Sequence, residues 1–138
     1  MIHMYSGPIY DSDNNGLMDE SISDSQRPTH IYVVLMRCKN GEWTEDLSHC
    51  ANESQLAILS FVLPIVERDI NCLDPIEYIF RHTVRIKDIE LLMGDEWFID
   101  RGHYSLETST RLRTEIVDQL WQLELPETGT KPTQTEKP

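Results

Sequence analysis

The sequence is short of positive charge and of long apolar runs. Lys and Arg total 12 against 24 Asp and Glu in 138 residues, giving a formal net charge of −12 and a pI of about 4.7. Affinity for nucleic acid comes largely from Lys and Arg displacing counterions at phosphates, so nucleic acid is not expected as a partner and divalent cations are. No stretch approaches the roughly 18 apolar residues of a membrane span. The N-terminus lacks the basic and apolar regions of a signal peptide, so any secretion signal is expected outside this chain. There are only three cysteines, and no His/Cys cluster has zinc spacing. A Gly-rich phosphate loop, a nucleophile elbow, an internal repeat and a heptad pattern are all missing. What remains is 39% hydrophobic and 26% charged, a globular composition at a length that suits one compact domain.

Composition divides the chain into three zones. Residues 1 to 26 hold no Lys or Arg, and three of their acids, Asp11, Asp13 and Asp19, surround Gly16. Residues 29 to 123 read as the packed body. From Pro126 the sequence is rich in Thr and Pro without a large apolar residue, so 124–138 is expected to be a disordered tail.

Within the body, His30 to Arg37 is a β-branched and aromatic run with little polar alternation, which predicts a central strand covered on both faces. Leu56 to Leu63, stopped by Pro64, predicts another strand, with helix as the alternative. Asp74-Pro75 predicts a helix start that leads a short helix with Ile76, Ile79 and Phe80 on one face. Thr83 to Ile86 favours strand. A further helical turn or two follows from Asp88 through Ile89, Leu92 and Met93, with Gly94 as its terminator. Leu106, Leu112, Ile116, Val117, Leu120 and Trp121 predict a helix over about 105–123. Strands followed by helices make an α+β layer fold.

The acidic loop runs Asp11-Ser12-Asp13-Asn14-Asn15-Gly16-Leu17-Met18-Asp19. Oxygen side chains fall at its first, third, fifth and ninth positions, Gly at the sixth and an apolar residue at the seventh. This is the spacing of an EF-hand calcium loop, because a hard cation takes about six to eight oxygens at roughly 2.3 to 2.6 Å and Gly permits the sharp turn. The ligand set predicted is Asp11, Asp13, Asn15, the Leu17 carbonyl and Asp19, with waters completing the shell. Ile22 stands at the twelfth position in place of a bidentate Glu, and the flanks look strand-like, so a helix-loop-helix sensor is not expected. The plainer alternative is a polar turn in which Asp and Asn cap their own backbone.

The order of several motifs resembles the nuclease-like domain of the ectonucleotide pyrophosphatase/phosphodiesterases. They are Ser6-Gly7-Pro8-Ile9-Tyr10-Asp11 before the loop, Pro28-Thr29-His30 opening a strand that ends near Cys38, Phe61-Val62-Leu63-Pro64, and above all His82-Thr83-Val84-Arg85-Ile86-Lys87-Asp88-Ile89-Glu90-Leu91-Leu92, followed by Gly94 and Phe98. Met93, Asp95 and Pro75 depart from the family pattern; none removes a proposed calcium ligand.

The resemblance implies the C-terminal part of a DNA/RNA non-specific endonuclease-like fold, with a mixed sheet and helices, occupying residues 1–123. It also implies an extracellular or cell-surface setting and a non-catalytic supporting role beside a phosphodiesterase domain not present in this chain. The missing first half of such a domain would leave exposed sheet edges or apolar surface. The family pairs the cysteines corresponding to Cys38 and Cys50, which flank the polar loop 39–49; buried thiols in a reducing cell are the alternative. Such a bridge contributes on the order of 2 to 3 kcal/mol. Cys72 is left over, and the resemblance implies an interdomain disulfide from it to the phosphodiesterase domain. Asn52-Glu53-Ser54 is the one glycosylation sequon.

Asp100-Arg101-Gly102-His103 spells the signature of metal-dependent non-specific nucleases, in which His is the general base. Here it comes near the end of the segment with no suitable Asn after it, so a turn into the last helix is expected. A metal-dependent endonuclease is the alternative function.

Overall fold

The computed structural model describes residues 1–65, 74–96, 104–117 and 120–121. Cys72, the Asp100 to His103 signature, Trp97, Phe98 and the expected tail lie outside the described residues.

Three strands form one sheet in the order β1 (His3–Ile9), β2 (His30–Cys38), β3 (Leu56–Pro64). β2 is central as expected, with a strand on each edge, but the expected cover on both faces is incomplete: Val34, Met36 and Cys38 are buried on one face, while Ile31 on the other is exposed. Both pairings are antiparallel, with Tyr5 opposite Val34 and Met36 opposite Ile58. The expected mixed sheet is therefore corrected among the described strands. Parallel neighbours need a crossover connection, and the links 10–29 and 39–55 contain no α-helix to make one. The run from Leu56 is strand, and it extends through Pro64, which sits at the strand end where no ladder donor is required.

One face of the sheet carries the core. Val34, Met36 and Cys38 of β2 and Leu56 and Ile58 of β3 pack with Cys50, with Ile86 and Ile89 of helix α2 (Ile86–Met93) and with Leu112 of α3 (Leu106–Thr114). Helix α1 (Pro75–Arg81) starts as expected, with the Asp74 carboxylate accepting the Ile76 N–H at 2.9 Å. Its apolar face is not buried: Ile76 and Phe80 are exposed.

Segment 82–84 lies along the outer edge of β3. Val62 donates to the His82 carbonyl and Val84 to that of Ser60, with a bridge between Phe61 and Thr83. The strand preference of Thr83 to Ile86 is realised only there, since α2 already begins at Ile86. The Asp88 carboxylate accepts the Arg85 N–H at the start of α2, and Gly94 ends it with φ of 69°, a left-handed conformation that favours glycine.

The last helix is shorter than its apolar stripe suggested. Helix α3 stops at Thr114, Glu115 is extended, and both Leu106 and Ile116 face solvent. Its packed face is Thr108, Ser109 and Leu112, so a single large apolar side chain anchors it, and a helix gains most of its stability from such packing.

The opposite face of the sheet is covered unevenly. Leu59 and Phe61 of β3 are buried, whereas Met4, Ser6 and Pro8 of β1 and Ile31 of β2 are exposed. Among the described residues no strand pairs with the outer edge of β1. No helix among them is long and apolar enough to cross a membrane.

Candidate metal centre

The acidic loop leaves the sheet at the end of β1 and returns through Thr29. Ile9 is fully buried and fixes the start. Thr29 then ties the neck: its N–H donates to the Ile9 carbonyl at 2.8 Å, and its hydroxyl oxygen accepts the Asp11 N–H at 3.0 Å. Asp19 closes the loop, donating its N–H to the Tyr10 carbonyl at 2.9 Å.

Inside this neck the side-chain oxygens bend the backbone. The Asp11 carboxylate is buried and accepts the N–H groups of Asn15 and Gly16, each at 3.1 Å. Asp13 accepts from the Asn15 N–H and side-chain amide, and the Asn15 oxygen accepts from Leu17 at 2.8 Å. Gly16 has φ of 79°, a left-handed value that favours glycine, at the sixth position where a sharp turn was expected.

The outcome is that one carboxylate oxygen from each of Asp11, Asp13 and Asp19 falls within 4.8 Å of the others. Two like charges about 4 Å apart repel by about 1 kcal/mol even at the dielectric of water, so this grouping of acids is disfavoured unless a cation or hydrogen bonds offset it. The donors are all hard oxygens, the set that suits calcium or magnesium; zinc would call for His or Cys. Asp19 also accepts from the Ser12 N–H and hydroxyl and from the Gln26 amide at 2.7 Å. Partial burial pushes its carboxyl up most, but these hydrogen bonds together hold it below the ordinary value. Asp19 therefore stays charged near neutral pH.

Sequence spacing named Asp11, Asp13, Asn15, Leu17 and Asp19, and the three Asp side chains do converge. Ser12, Gln26 and Thr29 went unnoticed as supports. Their roles depend on loop closure, which no local spacing signals. Ile22, at the twelfth position, is exposed, and no helix follows the loop. The loop also touches the body: Met18 donates to the Leu91 carbonyl at 3.3 Å. Gly94 also lets the Met18 side chain lie close against the end of α2: a Cβ there would fall 2.9 Å from the Met18 methyl, which would have to swing aside.

Elsewhere, Cys38 and Cys50 form a disulfide with a Cα separation of 5.6 Å, and both residues are buried. Trp43 in the enclosed loop stacks on His3 with ring centroids 4.2 Å apart, and the Arg37 guanidinium lies 4.5 Å from the Trp121 ring. Asn52 is exposed and caps the short turn Glu53–Gln55. Glu53 in turn accepts the Ser105 N–H and hydroxyl at 2.9 and 2.8 Å, and these bonds, the N–H first, hold its carboxyl below the ordinary value.

No protein-family model matches the chain. Curated proteins do. An ectonucleotide pyrophosphatase/phosphodiesterase of Caenorhabditis elegans is 27% identical over 121 residues, covering 87% of this chain and 14% of the relative. Ectonucleotide pyrophosphatase/phosphodiesterase family member 3 of Bos taurus is 32% identical over 117 residues, covering 73% of this chain and 13% of the relative. A venom phosphodiesterase of Naja atra is 31% identical over 129 residues, covering 82% and 15%. The chain thus spans 13 to 15% of the length of these three relatives.

Proposed function

The chain belongs to the ectonucleotide pyrophosphatase/phosphodiesterase family, and from that premise we propose that it is the C-terminal part of a non-catalytic nuclease-like domain. In this role it binds one structural calcium ion and supports a phosphodiesterase domain carried elsewhere in the parent protein. The observation that carries the proposal is the closed acidic loop with Asp11, Asp13 and Asp19 gathered within 4.8 Å. Calcium bound by these residues, Asn15 and the Leu17 carbonyl would offset the repulsion among the carboxylates and fix the loop against α2 through Met18. The role is architectural in this reading: the loop joins β1 to β2, and a bound ion would hold the connection between these two paired strands.

Two further features support a partial domain. The outer edge of β1 and the exposed apolar group of Met4, Pro8 and Ile31 are the kind of surface that a soluble domain covers with another element. The Cys38–Cys50 disulfide fits an oxidising, extracellular compartment. Cys72, outside the described residues, is the proposed bridge to the phosphodiesterase domain. A bulky maleimide should label it in the folded isolated chain, and failure to label without denaturant would count against that bridge.

Titration of the chain with calcium by isothermal calorimetry tests the metal assignment. One saturating site is expected, lost in Asp13→Ala. Heat unchanged by the substitution would remove Asp13, and with it the proposed site. The alternative, a metal-dependent endonuclease, is favoured only by the four letters Asp100 to His103. Cleavage of plasmid DNA with magnesium that vanishes in His103→Ala would establish it in place of the supporting role.

A further inference from the structure

We infer that Asn52 is an N-glycosylation site, its side-chain nitrogen carrying an oligosaccharide in the mature protein. The inference rests on the extracellular reading above, since the modification occurs only along the secretory route.

Of the asparagines in the chain, Asn52 alone has Ser or Thr two residues on. The structure adds what the motif lacks, a division of labour within the carboxamide. The oxygen of Asn52 accepts the Ser54 N–H at 3.1 Å and the Ser54 hydroxyl at 2.8 Å. Its backbone carbonyl accepts the Gln55 N–H at 3.0 Å. All of these bonds end on oxygen, and the side-chain nitrogen donates to no described residue. The atom that would carry the sugar is therefore the one left unused among the described residues, on an exposed residue.

The position is also anchored. Cys50, two residues before, is buried and disulfide-bonded, and Glu53, one residue after, holds the start of α3 through Ser105. The turn is thus a fixed platform with its nitrogen turned away from the hydrogen-bonded oxygen. Attachment leaves every bond of the turn intact, because a glycosylated amide keeps its carbonyl oxygen.

The donor is a lipid-pyrophosphate-linked oligosaccharide, used by an oligosaccharyltransferase. The Asn52 nitrogen attacks the anomeric carbon and loses one proton to a base of that enzyme. The new N–C bond replaces the C–O bond to pyrophosphate, which departs with the electron pair.

The full chain, placed behind a cleavable leader, is translated with endoplasmic-reticulum microsomes, and only the protease-protected fraction is scored. A slower-migrating form that collapses with a peptide-N-glycosidase, is absent in Asn52→Gln and Ser54→Ala, and increases in Ser54→Thr is expected. A protected chain with no glycosidase-sensitive form in either the parent or Ser54→Thr overturns the inference. Formation of the Cys38–Cys50 disulfide in the same fraction, read on a non-reducing gel, tests the extracellular reading separately. A glycosylated chain that never forms the disulfide contradicts that reading and leaves the site assigned. Enzymatic removal converts Asn52 to Asp, whose oxygens still cap the turn, so the thermal midpoint should not fall when the glycan is cut away.

Discussion

Arg113 of α3 donates to the carboxylate of Glu90 on α2 at 2.8 Å, and Glu90 is almost wholly buried. The pair joins the two helices that cover the core face of the sheet. Among the described residues the second oxygen of Glu90 is buried without a hydrogen-bond partner, so there the carboxylate depends on Arg113 for its charge to be tolerated.

Removing Arg113 should therefore cost more than a surface ion pair would. Arg113→Met leaves a buried carboxylate unpaired and is expected to destabilise by about 3 kcal/mol, at the lower end of the range because Arg113 itself is partly exposed. Replacing both, Glu90→Met with Arg113→Met, is expected to recover much of that loss. Urea denaturation of the parent and the two variants checks it; equal losses in the single and double variants would refute the coupling.

Ile89 is fully buried on α2 beneath the sheet. Ile89→Ala should cost about 2 to 5 kcal/mol, through lost transfer energy and the cavity left behind. The exposed Ile76→Ala on α1 should cost less than about 0.5 kcal/mol. Chemical denaturation of both would show whether α2, and not α1, holds the core.

The loop closed by the disulfide is itself ordered by Asp46. Hydrogen bonds from the Thr44 hydroxyl first, then from the Ser48 hydroxyl and N–H, hold the Asp46 carboxyl at about 2, below its ordinary 3.8. A depressed folded value means that the stabilisation is present above the unfolded value and is lost as pH falls through the folded one. Asp46→Asn should therefore melt lower than the parent at neutral pH, with the gap closing between about pH 4 and pH 2. A gap that persists unchanged into acid would point away from Asp46.

Opening Cys38–Cys50 should cost on the order of 2 to 3 kcal/mol by freeing the unfolded loop. Thermal melts of the parent and of the Cys38→Ala, Cys50→Ala double variant check this.

Much of this architecture could be read from residue order. The β-branched run from His30, the Asp74-Pro75 pair and Gly94 each act through local backbone preference, and each appears where expected. The three Asp of the acidic loop were legible from their calcium-loop spacing, although Asp19 reaches the other two only because its N–H closes the loop on the Tyr10 carbonyl. Interactions set by chain closure escaped notice. Thr29 reaches Asp11 from the far end of the loop, and Glu90 reads as a surface residue until Arg113, on another helix, is seen to neutralise it. The early end of α3 was missed because Leu106 and Ile116 fit a helical stripe while facing solvent.

The proposed calcium site at Asp11, Asp13 and Asp19 is tested most directly by the thermal midpoint of the chain in calcium and in EGTA. At a free concentration about 100 times the dissociation constant, a ligand that binds only the folded state adds about 2.7 kcal/mol. For a domain of this size that is a rise on the order of 10 °C. The account predicts that rise for the parent and its absence in Asp13→Ala; equal midpoints for the parent in calcium and in EGTA would contradict it.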